Sequence, residues 1–124
     1  MSKTNIIILS DPNNGEESLG RAFNALAAAF DIKENGGEVS IVLAGTGTRW
    51  ASVLVNVDHP LNPFYKALKS NFAGVSCGCA DVFGARDGAE KNNFPILDES
   101  KIPGTSGLPS YSKLVNNDGP LLIF

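Results

Sequence analysis

Two unbroken apolar runs with one long amphipathic stretch between them constrain the fold of this chain more than any other feature. The first run, Asn5-Ile6-Ile7-Ile8-Leu9, is rich in β-branched residues and does not alternate with polar ones. A strand without alternation is covered on both faces, which is the situation of a strand inside a parallel sheet. Leu19, Ala22, Phe23, Leu26, Ala27 and Phe30 then recur at i, i+3, i+4, i+7, i+8 and i+11, the spacing of one helix face. Between run and helix, "SDPNNGEE" is a loop whose two glutamates fall where a helix N-terminus attracts negative charge. "ENGGE" supplies a glycine stop, and "VSIVLAG" is a second buried strand. Strand, helix and strand with short connections make a βαβ unit, right-handed by default.

The remainder continues the pattern. A Gly-rich loop, "GTGTR", leads into a short helix carrying Trp50, Val53, Leu54 and Val57. A further helix has Asn62 as its N-cap and Pro63 at its first position, with Phe64, Ala67, Leu68 and Phe72 on its apolar face. "GVSCGCA" is the third strand, ending in the cysteines. "DVFGARDGAEKNN" is weakly helical, "FPIL" a short edge strand, "DESKIPGTSGLPS" a loop, "YSKLVNN" a short helix and "GPLLIF" a terminal strand whose apolar end requires burial. Residues 1–124 therefore read as a single domain, a three-layer α/β sandwich with a mainly parallel sheet.

Composition narrows the function. The 124 residues are 43% hydrophobic, enough for one core, and the net charge is −3 with scattered basic residues. Binding nucleic acid needs a concentrated basic face, so no nucleic-acid partner is expected. The N-terminal apolar run is too short for a secretory or membrane-spanning segment, so no membrane partner and a cytoplasmic location are expected. Thiols stay reduced in that compartment, and a close cysteine pair points to redox or metal chemistry or to plain packing.

The chain's two cysteines are Cys77 and Cys79. On an extended strand end they would share a face roughly 6.6 Å apart, at the limit of the about 4.4 to 6.8 Å that a disulfide tolerates. Such a bridge would be strained and easily reduced, which suits redox or sulfur-transfer work. Should a helix begin just after the strand, its amide dipoles would favour the thiolate at these positions. The competing reading is two small residues packed in a core. A zinc site with Cys77, Cys79 and His59 is a third, short of the usual four ligands; no metal and no cofactor are expected. His59, just before a proline, reads as a hydrogen-bonding turn residue.

Ligands of open α/β sheets sit at the carboxyl ends of the strands. Three segments converge there: "SDPNNG", "AGTGTRW" and "SCGCAD". "GTGTR" lacks the endings of the phosphate-binding fingerprints, so its glycines serve a tight turn. The neighbouring ligand pocket is expected to be lined by Asp11, Asn14, Thr46, Thr48 and Arg49.

The first strand with its Ser-Asp loop, the Ala-rich helix, "NGGEVSIVLAGTG", "HPLNPFYKALKSNFAGVSCGCADVFG" and the tail "LPSYSKLVNNDGPLLIF" together resemble the DsrE/DsrF-like family of small intracellular sulfur-relay proteins. The most specific piece is Gly74-Val75 running into Cys77, with Gly84 following. The resemblance implies a five-stranded sheet and a homo-oligomer, trimeric or hexameric. It also implies a sulfurtransferase or sulfur-carrier role, with persulfide sulfur taken from a donor protein onto Cys77 and passed to an acceptor protein. Some relatives have Cys-Gly-x-Cys where this chain has Cys-Gly-Cys, so Cys79 also stands as the accepting thiol or as a resolving thiol. The alternative is a non-catalytic oligomeric module of the same fold that binds a small ligand and whose cysteines only pack.

Overall fold

A computed structural model describes residues 3–116 and 119–124. Asn117, last residue of the expected "YSKLVNN" helix, and Asp118 of the tail's Asp-Gly pair lie outside the described residues.

The elements follow the chain in the order β1 (Lys3–Ile8), α1 (Gly15–Glu34), β2 (Glu38–Leu43), α2 (Trp50–Val53), α3 (Asn62–Leu68), β3 (Phe72–Ser76), α4 (Cys77–Val82), α5 (Arg86–Lys91), β4 (Ile96–Leu97), α6 (Tyr111–Asn116) and β5 (Leu121–Ile123). The five strands form one sheet in the order β4-β3-β2-β1-β5, and every pairing is parallel. The chain is thus an α/β sandwich built on a five-stranded parallel sheet, with helices on both sides.

Handedness explains how unevenly the two faces are covered. From β1 to β4 each strand lies beside its predecessor, so right-handed crossovers put α1 through α5 on the same side. The connection from β4 runs back across the sheet to pair β5 with β1, which places α6 on the other side. The first face buries Ile6, Ile8, Ile41, Leu43 and Val75 against Ala22, Leu26 and Ala29 of α1, with Trp50, Leu68, Ala80 and Ala89. Among the described residues the apolar side chains buried on the second face are Ile7, Val42 and Ala44, packed by the partly buried Ala73, Cys79, Leu97, Leu114 and Leu121. Asn5, fully buried on that side, donates its amide to the Leu114 carbonyl (3.0 Å) and tethers α6.

Four local expectations are revised. β3 stops at Ser76, and both cysteines belong to α4. Asn62 is not a cap but lies inside α3, where its buried amide donates to Leu54 O (2.8 Å). Phe72 belongs to β3, packed against Tyr65 and Phe94. Val57 is exposed, because α2 ends at Val53. The terminal apolar segment divides its faces: Leu122 and Phe124 pack on the main core, Leu121 on the smaller one, and Ile123 remains exposed.

Candidate functional site

Cys77 is the first residue of α4, at the carboxyl end of β3, and it is 3% exposed. Two side chains from other segments meet its sulfur, and Asp81 of its own helix joins them. Arg86, which opens α5, donates from Nη1 to the Cys77 sulfur at 3.1 Å. The same nitrogen donates to Asp81 Oδ1 and Oδ2 at 3.2 and 3.1 Å. Ser106, from the segment after β4, accepts from the thiol at 3.3 Å and donates its own hydroxyl to Asp81 Oδ2. Arg86 Nε lies 3.6 Å from Glu90 Oε2, which braces the far side of the guanidinium. A closed network of thiol, hydroxyl, carboxylate and guanidinium results.

The electrostatics follow from this geometry. The Asp81 carboxyl is held below the usual carboxylate range by the Ser106 hydroxyl and then by Arg86. Arg86 is pushed above its already high range by Asp81 first and then by Cys77. A fixed cation therefore faces the sulfur, the environment that suits a negatively charged sulfur species. α4 is only six residues long, so the charge beside Cys77 comes from Arg86 rather than from a helix dipole.

A strap, residues 98–108, closes over this cluster. Its ends are joined by the antiparallel bridge Ser100↔Leu108, and the Gly107 carbonyl accepts from Gly78 N at 2.7 Å. Two glycines permit this approach. A Cβ on Gly78 would meet Leu108 Cδ2 at 3.0 Å and Gly107 O at 3.1 Å. Gly107 adopts φ +113, and a Cβ there would lie 2.7 Å from Asp98 Cβ, so a side chain is excluded on both counts.

Cys79 does not join Cys77. Two residues along a helix turn by roughly 200°, and Cys79 is partly buried in the small core of the second face. Burial and then Cys79 raise the Tyr111 phenol above its ordinary value. A direct Cys77–Cys79 bridge requires the first turn of α4 to unwind, so the strained bridge expected of two strand residues is not prepared here.

The expected pocket residues divide. Asp11, Asn14 and Thr46 line an open cleft of about 400 Å³ at the carboxyl ends of β1 and β2, together with Ser10, Arg21 and Phe124. Thr48 is fully buried, its hydroxyl donating to Gly45 O at 2.8 Å. Arg49 is engaged elsewhere: it pairs with Asp11 at 2.7 Å, donates to Phe83 O at 3.2 Å and lies over the Phe83 ring. Arg49 thus links the two loops to the end of α4. Neither cysteine lines the cleft. His59 accepts from Leu61 N at Nδ1 (3.0 Å) and meets Trp50 edge-on, which makes it a turn residue. Among the described residues, no three His, Cys, Asp or Glu side chains are grouped to hold a metal ion, and no helix is long and apolar enough to cross a membrane.

Asp81, Arg86 and Ser106 were not legible as site residues. Ser106 is 29 positions from Cys77 in sequence and comes from a segment that reads only as loop.

No family model matches the chain. It is 29% identical over 85 residues to the uncharacterized protein MJ0733 of Methanocaldococcus jannaschii, a match spanning 68% of this chain and 69% of that protein. Its fold is similar to that in the crystal structure of the ychN protein from E. coli, with a TM-score of 0.62, 19% identity and full coverage of both chains.

Proposed function

We propose that this protein is a DsrE-like sulfur carrier that accepts persulfide sulfur on Cys77 and passes it to a partner protein. The observation that carries the reading is the Arg86 guanidinium, 3.1 Å from the Cys77 sulfur at the end of a central strand. A persulfide is an anion held on one sulfur, and a rigid strand end with a fixed cation suits it. In the reaction Cys77–SH attacks the outer sulfur of a donor R–S–SH. The donor S–S bond breaks, the Cys77 S–S bond forms, and R–SH leaves with the thiol proton. Cys79 has no part in this step, because it faces the opposite side of α4.

Self-association belongs to the proposal. Among the described residues the second sheet face is covered thinly, by the six-residue α6 and by Cys79 of α4, and Ile123 and Val115 are exposed. A trimer or hexamer would give that face its missing layer.

The test is incubation of the wild type, Cys77→Ser and Cys79→Ser with a low-molecular-weight persulfide donor, read by intact mass. The wild type and Cys79→Ser gain the mass of one sulfur atom, and Cys77→Ser does not. No gain by the wild type, with Cys77 reduced at the start, overturns the reading.

The second reading is a binding module that uses the cleft between the first two strand ends. The observation favouring it is the cleft's polar lining by Asp11, Asn14 and Thr46, separate from the cysteines. Loss of small-ligand binding in Thr46→Val, with sulfur uptake absent, would favour it over sulfur carriage.

A further inference from the structure

We infer that the 98–108 strap is a load-sensitive cover: it closes over the empty Cys77 thiol and is displaced when that residue takes on a second sulfur. The inference rests on the sulfur-carrier reading of Cys77 and assigns the regulation of that site.

The argument begins with space. Cys77 is 3% exposed, and its sulfur already touches Arg86 Nη1 at 3.1 Å and Ser106 Oγ at 3.3 Å. A second sulfur bonded to it sits about 2.05 Å further out, yet non-bonded neighbours stand off by about 3.5–4.0 Å. Toward Arg86 and Ser106 no such room exists, so a second sulfur on this side of Cys77 displaces one of them.

The neighbours are not equally free to move. α4 and α5 bury Ala80 and Ala89 in the main core, Ala85 between them is buried there too, and Arg86 is braced by both Asp81 and Glu90. The strap is exposed from Lys101 through Ser106. Among the described residues its links to the body of the site are few: Ser106 to Asp81 and Cys77, the Gly107 carbonyl to Gly78, and the approach of Thr105 and Leu108 to Gly78. Segments with few buried contacts open at the lowest free energy.

Charge acts in the same direction as space. In the closed state the guanidinium is shared between Asp81 and the sulfur, and Ser106 is latched on Asp81. A negatively charged persulfide competes with Asp81 for Arg86 and repels the carboxylate that holds Ser106. Loading therefore weakens the latch while the bulk of the new atom pushes against it. The loaded sulfur is then presented to an acceptor, and the empty thiol is covered again after transfer.

The test uses Cys79→Ser protein, so that one thiol reports. Methyl methanethiosulfonate converts Cys77–SH to Cys77–S–S–CH₃ with release of methanesulfinic acid, which places a second sulfur on the residue without any biological donor. The readouts are tryptic cleavage after Lys101, inside the strap, and amide hydrogen exchange over residues 98–110. Loading is expected to speed both by about tenfold, an opening made about 1.4 kcal/mol easier, while cleavage elsewhere in the chain is unchanged. Ser106→Ala, which lacks the latch, is expected to show part of the increase before loading. Unchanged cleavage after Lys101 once mass confirms the adduct overturns the inference, as does a rise spread over the whole chain. Failure of the sulfur-carrier reading is recognised separately, because it appears as no uptake from a persulfide donor while the strap still responds to the chemical adduct.

Discussion

Arg86 Nη1 stands 3.1 Å from the Cys77 sulfur and nearly as close to both oxygens of Asp81, so a single guanidinium nitrogen is divided between a thiol and a carboxylate. Under the proposed sulfur carriage this division sets the balance between the resting and sulfur-loaded forms of the site, and it yields predictions for the residues around it.

Replacing Arg86 by alanine removes the cation that faces the sulfur. Its hydrogen bond to the sulfur is charge-assisted but open to solvent, which screens it and keeps the effect modest. Sulfur uptake from a persulfide donor, followed by intact mass, slows about tenfold in Arg86→Ala. Arg86→Lys recovers only part of the rate, since an ammonium cannot serve Asp81 and the sulfur from one planar group.

Gly107→Ala unseats the strap. Residues without glycine's freedom cost about 1–3 kcal/mol in such backbone conformations, and the added Cβ would collide with Asp98. Alkylation of Cys77 by iodoacetamide at neutral pH is expected to accelerate about tenfold. An unchanged rate would mean that the strap does not limit access to the sulfur.

The latch depends on acid in a fixed direction. The folded Asp81 carboxyl titrates below its unfolded value, because Ser106 and then Arg86 favour its charged form. Its contribution is complete above the ordinary carboxylate range and is lost as pH falls through the depressed folded value. The stability difference between wild type and Asp81→Asn, measured by urea unfolding, is therefore constant near neutrality and shrinks in strong acid. A difference that grew on acidification would contradict the assignment.

Ile123→Asp places a charge on the thinly covered sheet face. Sedimentation at micromolar concentration is expected to show assemblies for the wild type and a shift toward monomer for the variant, with the helical circular dichroism retained. Monomers in both would remove self-association from the proposal.

The sequence announced some of this and concealed the rest for physical reasons. The β1-α1-β2 unit is legible because its strands are buried on both faces; in α1 the buried side is Ser18, Ala22, Ala25, Leu26 and Ala29, whereas Phe23 and Phe30 of the expected apolar face are exposed. The end of β3 was not legible. "GVSCGCA" reads on as strand, Gly78 is a poor helix former, and Ser76 makes no side-chain cap. At the second residue of the turn, Gly78 N meets the Gly107 carbonyl, a contact with a segment 29 residues away that no local pattern encodes. The same distance concealed Ser106. Asp81 and Arg86 are five positions apart across Gly84, a spacing that matches neither helix nor strand and becomes a pair only once the chain reverses there. Thr48 and Arg49 belong to the expected neighbourhood yet serve it from behind, one buried and one tied to Asp11.

Because β5 pairs with β1, Asn5 meets Leu121 across almost the full sequence, and the strap lies within the connection that makes this pairing possible. Contacts of such long range form slowly, since loop closure has to precede them. During synthesis β1 through β3 can assemble before the residues that cover Cys77 have left the ribosome. The newly made protein therefore passes through an interval in which the Cys77 sulfur is bare, and the arrival of residues 98–108 closes that interval.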